Sequence, residues 1–333
     1  MMQNTFTKVV IHLSRLLLPK PKAKKVDLSG RTVIVTGASP GSLGYETARI
    51  LASWGARVVA TSPHKVAFMK ESLQTDLRRT GADPNNISVH ALDLCDPHSV
   101  DGFVTWYRET HGNSLQVLVN NAGIHKNIFT PSTQPPLTRD GFEIHWRTNY
   151  LGTFHLTHAL LPLLQQGGLE SGDARVVNVA SHLHDRGKNK YLFEPAPRYN
   201  SWEAYGMSKL ALIHHSFELQ RRFSGTSKIR SVALHPGSVN TNLTQWAEPR
   251  SNFGKVVWRF SSAMSSLVLL SRPAGAQTVV HCASTSSLQG GCYYYRCDIA
   301  EVSNESMDET VSRRLWEETH AWVGSLCVTG KRA

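Results

Sequence analysis

A tyrosine and a lysine four residues apart, in Tyr205-Gly206-Met207-Ser208-Lys209, are the pair in this sequence best placed to do chemistry. On a helix, positions i and i+4 lie on one face, so the amine stands beside the phenol. A free phenol has a pKa of about 10 and is a poor base at neutral pH. A neighbouring ammonium favours the phenolate, so the expectation is a Tyr205 pKa lowered by Lys209 and a group able to give and take a proton. Upstream, Ser181 ends the strand-like run Arg175 to Ser181, where a hydroxyl could donate to and polarise a substrate carbonyl. Asn149 stands in Arg147-Thr148-Asn149-Tyr150-Leu151-Gly152. Taken singly, Ser181 reads as a strand-end turn and Asn149 as a polar residue inside a helix.

These residues need a cofactor to act on a carbonyl, and the first half of the chain offers a place for one. Arg31 to Thr36 is rich in β-branched residues, Gly37-Ala38-Ser39-Pro40-Gly41-Ser42-Leu43-Gly44 follows, and Tyr45 to Trp54 has helical apolar spacing. Strand, glycine turn and helix together form the setting for a dinucleotide: glycine lets the backbone approach the pyrophosphate, and the helix N-terminus supplies N–H groups. Arg57 to Thr61 reads as the second strand. Ser62-Pro63-His64-Lys65 follows it with no acid before Glu71. A carboxylate there would bind the ribose hydroxyls of NAD, so its absence favours NADP, with Ser62 and Lys65 as phosphate contacts. Ser88 to Leu94 is a third strand, ending in Asp93-Leu94, and Asp93 also reads as the cap of the next helix. Gln116 to Val119 is a fourth strand, running into Asn120-Asn121-Ala122-Gly123. Arg230 to Leu234 is a sixth, leading to His235-Pro236-Gly237-Ser238-Val239-Asn240-Thr241.

The order and spacing of these motifs resemble the short-chain dehydrogenase/reductase family, and in particular its retinol-dehydrogenase-like branch, over residues 28 to 323. The resemblance implies a Rossmann-type α/β fold: one doubly wound parallel sheet with helices on both faces. It implies that Tyr205 is the acid/base, that Lys209 also holds the nicotinamide ribose, that Ser181 orients the substrate oxygen and that Asn149 completes a proton relay. It places Gly37, Ser39, Gly41, Leu43 and Gly44 on the pyrophosphate, Asp93 and Leu94 at adenine, and Asn121, Ala122 and Gly123 along the cofactor. Pro236, Gly237, Val239 and Thr241 would hold the carboxamide. The chain departs from the family in its glycine turn, where Ser42 and Leu43 are two residues between glycines that the family separates by one. The 24 positions from Ser181 to Tyr205 match the long form of the retinol-dehydrogenase-like branch.

Composition agrees with a folded oxidoreductase. Of 333 residues, 41% are hydrophobic and 18% charged, which is globular. Five cysteines with no Cys-x-x-Cys argue against a disulfide framework or zinc knuckle and for an intracellular, reducing setting. No metal is expected: His182-Leu183-His184-Asp185 lacks a further ligand set. Seven basic residues and one acid precede Thr32, so +6 of the net charge of +11 lies there. That distribution speaks against a nucleic-acid-binding face.

Residues 1–25 read as a basic amphipathic extension and linker, and 26–333 as the oxidoreductase domain. Inserts at about 182–204 and 243–270 lie on the substrate side. Phe6 to Leu18 is too short and too charged to span a bilayer. A helix lying in a membrane interface, a mitochondrial targeting segment and a helix docked on its own domain all remain open, so the protein is expected to be cytoplasmic or peripherally membrane-attached. Trp246, Phe253, Trp258 and Phe260 in the second insert suit a lid over an apolar substrate and suit a membrane contact nearly as well. Family likeness implies a homodimer or homotetramer. The reading is an NADP(H)-dependent oxidoreductase acting on an alcohol/carbonyl pair of a small, hydrophobic or lipid-like substrate. The alternative is a non-enzymatic NADP-binding regulatory or scaffold protein.

Overall fold

Alternation of buried residues builds the sheet. In β1 (Thr32–Val35) every residue is buried. Val33 and Val35 join one apolar cluster with Ala48, Leu51, Leu73 and Val279. Ile34, on the opposite face, joins another with Val59, Phe103, Leu118 and Phe154. A strand sends successive side chains to opposite faces, so two cores imply a sheet covered on both sides. This computed structural model describes residues 21–126, 133–239 and 270–329.

The strands are β1, β2 (Arg57–Ser62), β3 (Ile87–Ala91), β4 (Val117–Asn120), β5 (Ala174–Val179), β6 (Ile229–His235), β7 (Tyr293–Tyr295) and β8 (Asp298–Ala300). Their order is β3-β2-β1-β4-β5-β6-β7-β8. All pairings are parallel except β7 with β8. The chain winds outward from β1 to β3 and then returns to lay β4 against β1, with Val35 opposite Val119. That reversal opens a crevice beyond the strand ends, where open α/β sheets bind ligands.

The helices are α1 (Leu43–Ser53), α2 (Val66–Arg79), α3 (Pro97–His111), α4 (Gly152–Ser171), α5 (Ser201–Ser227), α6 (Arg272–Ser284) and α7 (Glu309–Thr329). Local chemistry starts them. Ser42 accepts the Tyr45 N–H at the head of α1, and Asn200 accepts from Trp202 and Glu203 at the head of α5. A six-residue π-turn, Trp146–Leu151, leads into α4.

Three details differ from the sequence reading. The cap of α3 is Asp96, which accepts the His98 N–H, because Pro97 fits the first helical position. Asp93 instead folds back on the Cys95 N–H. The first insert is partly helical, with 3-10 turns at His182–Arg186 and Asn189–Leu192, and α5 begins at Ser201, inside its expected span. The sheet carries an eighth strand, β8, that the sequence reading lacks. Arg296 and Cys297, at φ of 55° and 66°, turn the chain into antiparallel β8. Tight hairpins use this left-handed pair, usually with Asn or Gly, so the Arg-Cys dipeptide gave no signal.

At the chain's start, Ala23 is buried and its N–H donates to Gln277 on α6. Among the described residues no helix is long and apolar enough to cross a membrane, and Cys95, Cys282, Cys292 and Cys297 are free. Phe6 to Leu18 and positions 243–269 lie outside the described residues.

Candidate active site

The C-terminal ends of β4 and β5, the π-turn and the first turns of α5 bring Ser181, Asn149, Tyr205 and Lys209 together. Tyr205 is buried, and Ser181 lies close enough to its hydroxyl to lower the phenol's pKa. Ser181 follows β5 and opens the 3-10 turn, where its Oγ accepts the Leu183 N–H at 3.2 Å. Lys209 is buried one helical turn beyond Tyr205. Its Nζ lies 5.6 Å from the centre of the Tyr205 ring and donates to the Val179 carbonyl at 2.8 Å. Gly123 fits closely here: a Cβ on it would stand 3.2 Å from Lys209 Nζ and 3.4 Å from Asn149 Oδ1.

The expected lowering of the Tyr205 pKa is not what the fold produces. Burial pushes the phenol up to about 12, against a smaller opposing effect of Ser181. Burial also pulls Lys209 down to about 7. Desolvation disfavours the charged form of each, and neither residue is among the causes of the other's shift. At neutral pH the phenol therefore holds its proton, and the amine sits near its own midpoint.

Asn149 binds neither Tyr205 nor Lys209. Its Oδ1 accepts the Ile124 N–H at 2.8 Å, and its Nδ2 donates to the Ile124 carbonyl and to Ser208 Oγ, both at 3.0 Å. The π-turn is what carries it there. A π-bulge shifts the register of a helix locally and often accompanies a functional site. Arg147 in the same turn is fully buried, donating to Asp140 at 2.6 Å and to the Leu94 carbonyl at 2.7 Å.

The glycine turn lies across the crevice. Thr36 Oγ1 accepts the N–H groups of Asn121 and Ala122, both at 3.0 Å, and Asn121 Nδ2 donates to the carbonyls of Thr36 and Gly37. Gly37 has a φ of 67°, and a Cβ there would press on Ala122 at 2.7 Å. A Cβ on Gly44 would collide with Asn121 and with the Gly37 carbonyl. Ser42, one of the two residues between the last glycines of the turn, sits at the helix cap, where its Oγ donates to the Gly37 carbonyl at 3.0 Å. Gly41 takes a φ of 78°. These close approaches, at the head of α1 and at the strand-order reversal, fit a dinucleotide pyrophosphate.

The other expected cofactor residues fall around this crevice. Ser62 at the end of β2 shares a 2.7 Å hydrogen bond with Ser39 of the glycine turn. Lys65 takes a left-handed conformation, φ 54°, at the start of α2. Asp93 and Leu94 follow β3, and Gly152 allows α4 to pass against the Leu94 carbonyl. Gly237, at φ 91°, turns the chain after β6, and Val239 pairs with Leu270. Thr241 lies outside the described residues. Among those residues no group of three or more His, Cys, Asp or Glu is placed to hold a metal. The His184 ring is engaged instead with the Ser181 carbonyl at 2.7 Å and the Ser303 N–H at 3.2 Å.

Sequence reasoning singled out Asn120 but missed its partners, and it missed an aromatic wall. Asn120 donates to Asn178 and Thr157, and Asn178 donates to Ser216, tying β4 and β5 to α4 and α5 beneath the site. An aromatic wall surrounds Tyr205: His125 stacks on its ring at 4.4 Å, and His145 meets it edge-on at 6.2 Å. Isolated histidines carry no spacing signal, so only the fold could gather them.

A family model described as short chain dehydrogenase matches residues 31–252. The chain is 37% identical to Homo sapiens retinol dehydrogenase 11 over 299 residues, 88% of this chain and 85% of that one. It is 35% identical to Mus musculus retinol dehydrogenase 12 over 327 residues, 94% and 95% of the two chains. A solved structure of an uncharacterized protein from Mycobacterium Paratuberculosis superposes with a TM-score of 0.65 at 30% identity, covering 90% of this chain and 95% of that one.

Proposed function

This chain belongs to the short-chain dehydrogenase family of nicotinamide-dependent oxidoreductases, and on that premise we propose that it interconverts an alcohol and a carbonyl with NADP(H), Tyr205 giving and taking the proton. The observation that carries the reading is the Lys209 amine 5.6 Å from the centre of the Tyr205 ring, with Ser181 near the phenol and Gly123 packed against the amine.

The nicotinamide, when bound, supplies or accepts the hydride. The chain's own groups do the rest. Ser181 and Tyr205 both donate to the substrate oxygen and hold it in place. In reduction the neutral phenol gives its proton to the forming alcohol oxygen. In oxidation the same oxygen takes the proton back, and the Lys209 charge stabilises the phenolate between the two events. Asn149 holds Ile124, next to the His125 ring that walls the site. Gly37, Ser39, Gly41, Leu43 and Gly44 would cradle the pyrophosphate. Asp93 and Leu94 would meet adenine, Asn121, Ala122 and Gly123 would line the cofactor, and Lys209 would reach the nicotinamide ribose. Pro236, Gly237, Val239 and Thr241 would hold the carboxamide.

Preference for NADP rests on the lack of a carboxylate at the end of β2, on the paired hydroxyls of Ser39 and Ser62, and on Lys65 close by. A hydrophobic substrate is supported by the aromatic wall and by the relatives named retinol dehydrogenase. The test is NADPH oxidation against a panel of aldehydes and ketones. Tyr205→Phe should lose about a hundredfold or more in kcat while NADPH binding stays within about threefold. Unchanged turnover would remove this mechanism, and tight NADPH binding with no turnover of any carbonyl would favour a binding protein.

A further inference from the structure

His125 is held as firmly as the residues that do the chemistry. On one side Asn149 binds both the N–H and the carbonyl of Ile124. On the other, the Lys126 N–H donates to His145 Nε2 at 2.9 Å, and His145 Nδ1 donates to Glu143 at 2.6 Å. The His125 ring thus lies flat on Tyr205, centroids 4.4 Å apart and planes 14° from parallel, with Trp202 edge-on at 4.7 Å.

One ring nitrogen is accounted for and the other is not. The Ser201 backbone raises the ring's pKa, the effect of a carbonyl facing a ring N–H. Nε2 is buried and has no hydrogen-bond partner. Burial foremost, and then His145, pull the pKa to about 4, so the ring is neutral and Nε2 carries a lone pair. A buried acceptor left unpaired costs about 1–3 kcal/mol; His155, His158 and His215 also have such a nitrogen, but of these rings only that of His125 stacks on Tyr205. Met or Phe would complete the wall without that cost.

We propose that His125 is a specificity-determining residue whose Nε2 accepts a hydrogen bond from a hydroxyl on the substrate, one or two carbons from the reacting carbon. The preferred substrates are then hydroxyketones and the matching diols. This rests on Tyr205 marking the reacting carbon, and the His125 ring lies on the Tyr205 ring with centroids 4.4 Å apart. The donor is a neutral hydroxyl rather than an ammonium, since Lys209 and Arg186 already place positive charge near this ring.

The matched probes are acetophenone and 2-hydroxyacetophenone. Their dissociation constants are measured calorimetrically on the full chain loaded with NADP+, which needs no turnover. Wild type should bind the hydroxyketone about tenfold more tightly, the worth of one good hydrogen bond. His125→Phe keeps a flat ring and loses the acceptor, so its two affinities should agree within about twofold. His125→Gln returns an acceptor at similar reach and should restore part of the preference. Equal affinities in wild type, a preference that survives in His125→Phe, or no binding of either ketone at millimolar concentration overturns the proposal. NADPH-linked turnover is read separately. Selective binding without turnover keeps the role of His125 and removes the oxidoreductase reading, whereas turnover without selectivity does the reverse.

Discussion

The Lys209 amine lies 5.6 Å from the centre of the Tyr205 ring, yet its hydrogen bond goes to the Val179 carbonyl. In the proposed mechanism it acts on the phenol through charge alone, and that charge is pH-dependent. Burial lowers Lys209 to about 7, so its positive charge is present below that pH and is lost above it. For carbonyl reduction, kcat/KM should fall as pH rises past about 7, because the phenolate left behind loses its counter-charge. Lys209→Met should be about a hundredfold slower at pH 6 and flat from pH 6 to 8. A wild-type profile level from pH 6 to 9 would contradict this.

Asn149 should be needed for shape before chemistry. Its side chain makes three hydrogen bonds in a buried setting. Asn149→Leu leaves the Ile124 groups unpaired and should cost about 2–3 kcal/mol of stability, read as a lower Tm. Turnover should fall with it, since the wall at His125 is no longer held. An unchanged Tm would show that Ile124 is supported by something else.

Cofactor choice should turn on the end of β2. Ser62→Asp puts a carboxylate where Ser62 meets Ser39. The KM for NADPH should rise at least tenfold while that for NADH falls or stays level. Lys65→Ala should weaken NADPH alone. If both cofactors respond equally to Lys65→Ala, the 2′-phosphate is bound elsewhere.

Asp173 should anchor the far end of the sheet. It receives hydrogen bonds from Arg31, Arg175 and Arg230, at 2.9, 2.7 and 3.0 Å for selected atom pairs. Against the desolvation that would raise it, Arg175 and Arg230 hold its pKa at about 2, below the ordinary 3.8. A carboxylate lowered on folding contributes stability that is fully present above its unfolded pKa and is lost as pH falls from 3.8 through about 2. Asp173→Asn should therefore cost about 2 kcal/mol at pH 7, and the difference from wild type should shrink toward pH 2. A difference that stays constant with pH would place the effect in packing.

Much of this was legible in the sequence because it depends on local rules. Runs such as Thr32–Val35 and Val117–Asn120 are strands because their β-branched residues suit a sheet buried on both faces. The i, i+4 pair on α5 follows from helix geometry. The parts that stayed hidden depend on contacts between distant segments. Burial, which set the acidity of Tyr205 against expectation, belongs to the fold rather than to Lys209 as a neighbour. The π-turn escaped notice because Trp146, Tyr150 and Leu151 also suit an ordinary helix. Residues 296 and 297 form a hairpin turn without the glycine or asparagine that would announce it. His125 owes its place to clamps from residues 149 and 145, some twenty positions away.

The grip of Asn149 on Ile124 has a consequence for anything designed to fill the crevice. A primary amide that takes both the N–H and the C=O of one residue plays the part of an adjoining peptide unit. The chain beyond β4 is thereby spent as a template for strand addition. Peptide-like inhibitors that dock by zipping backbone to backbone would find no purchase there, and a successful binder must be recognised by side chains instead.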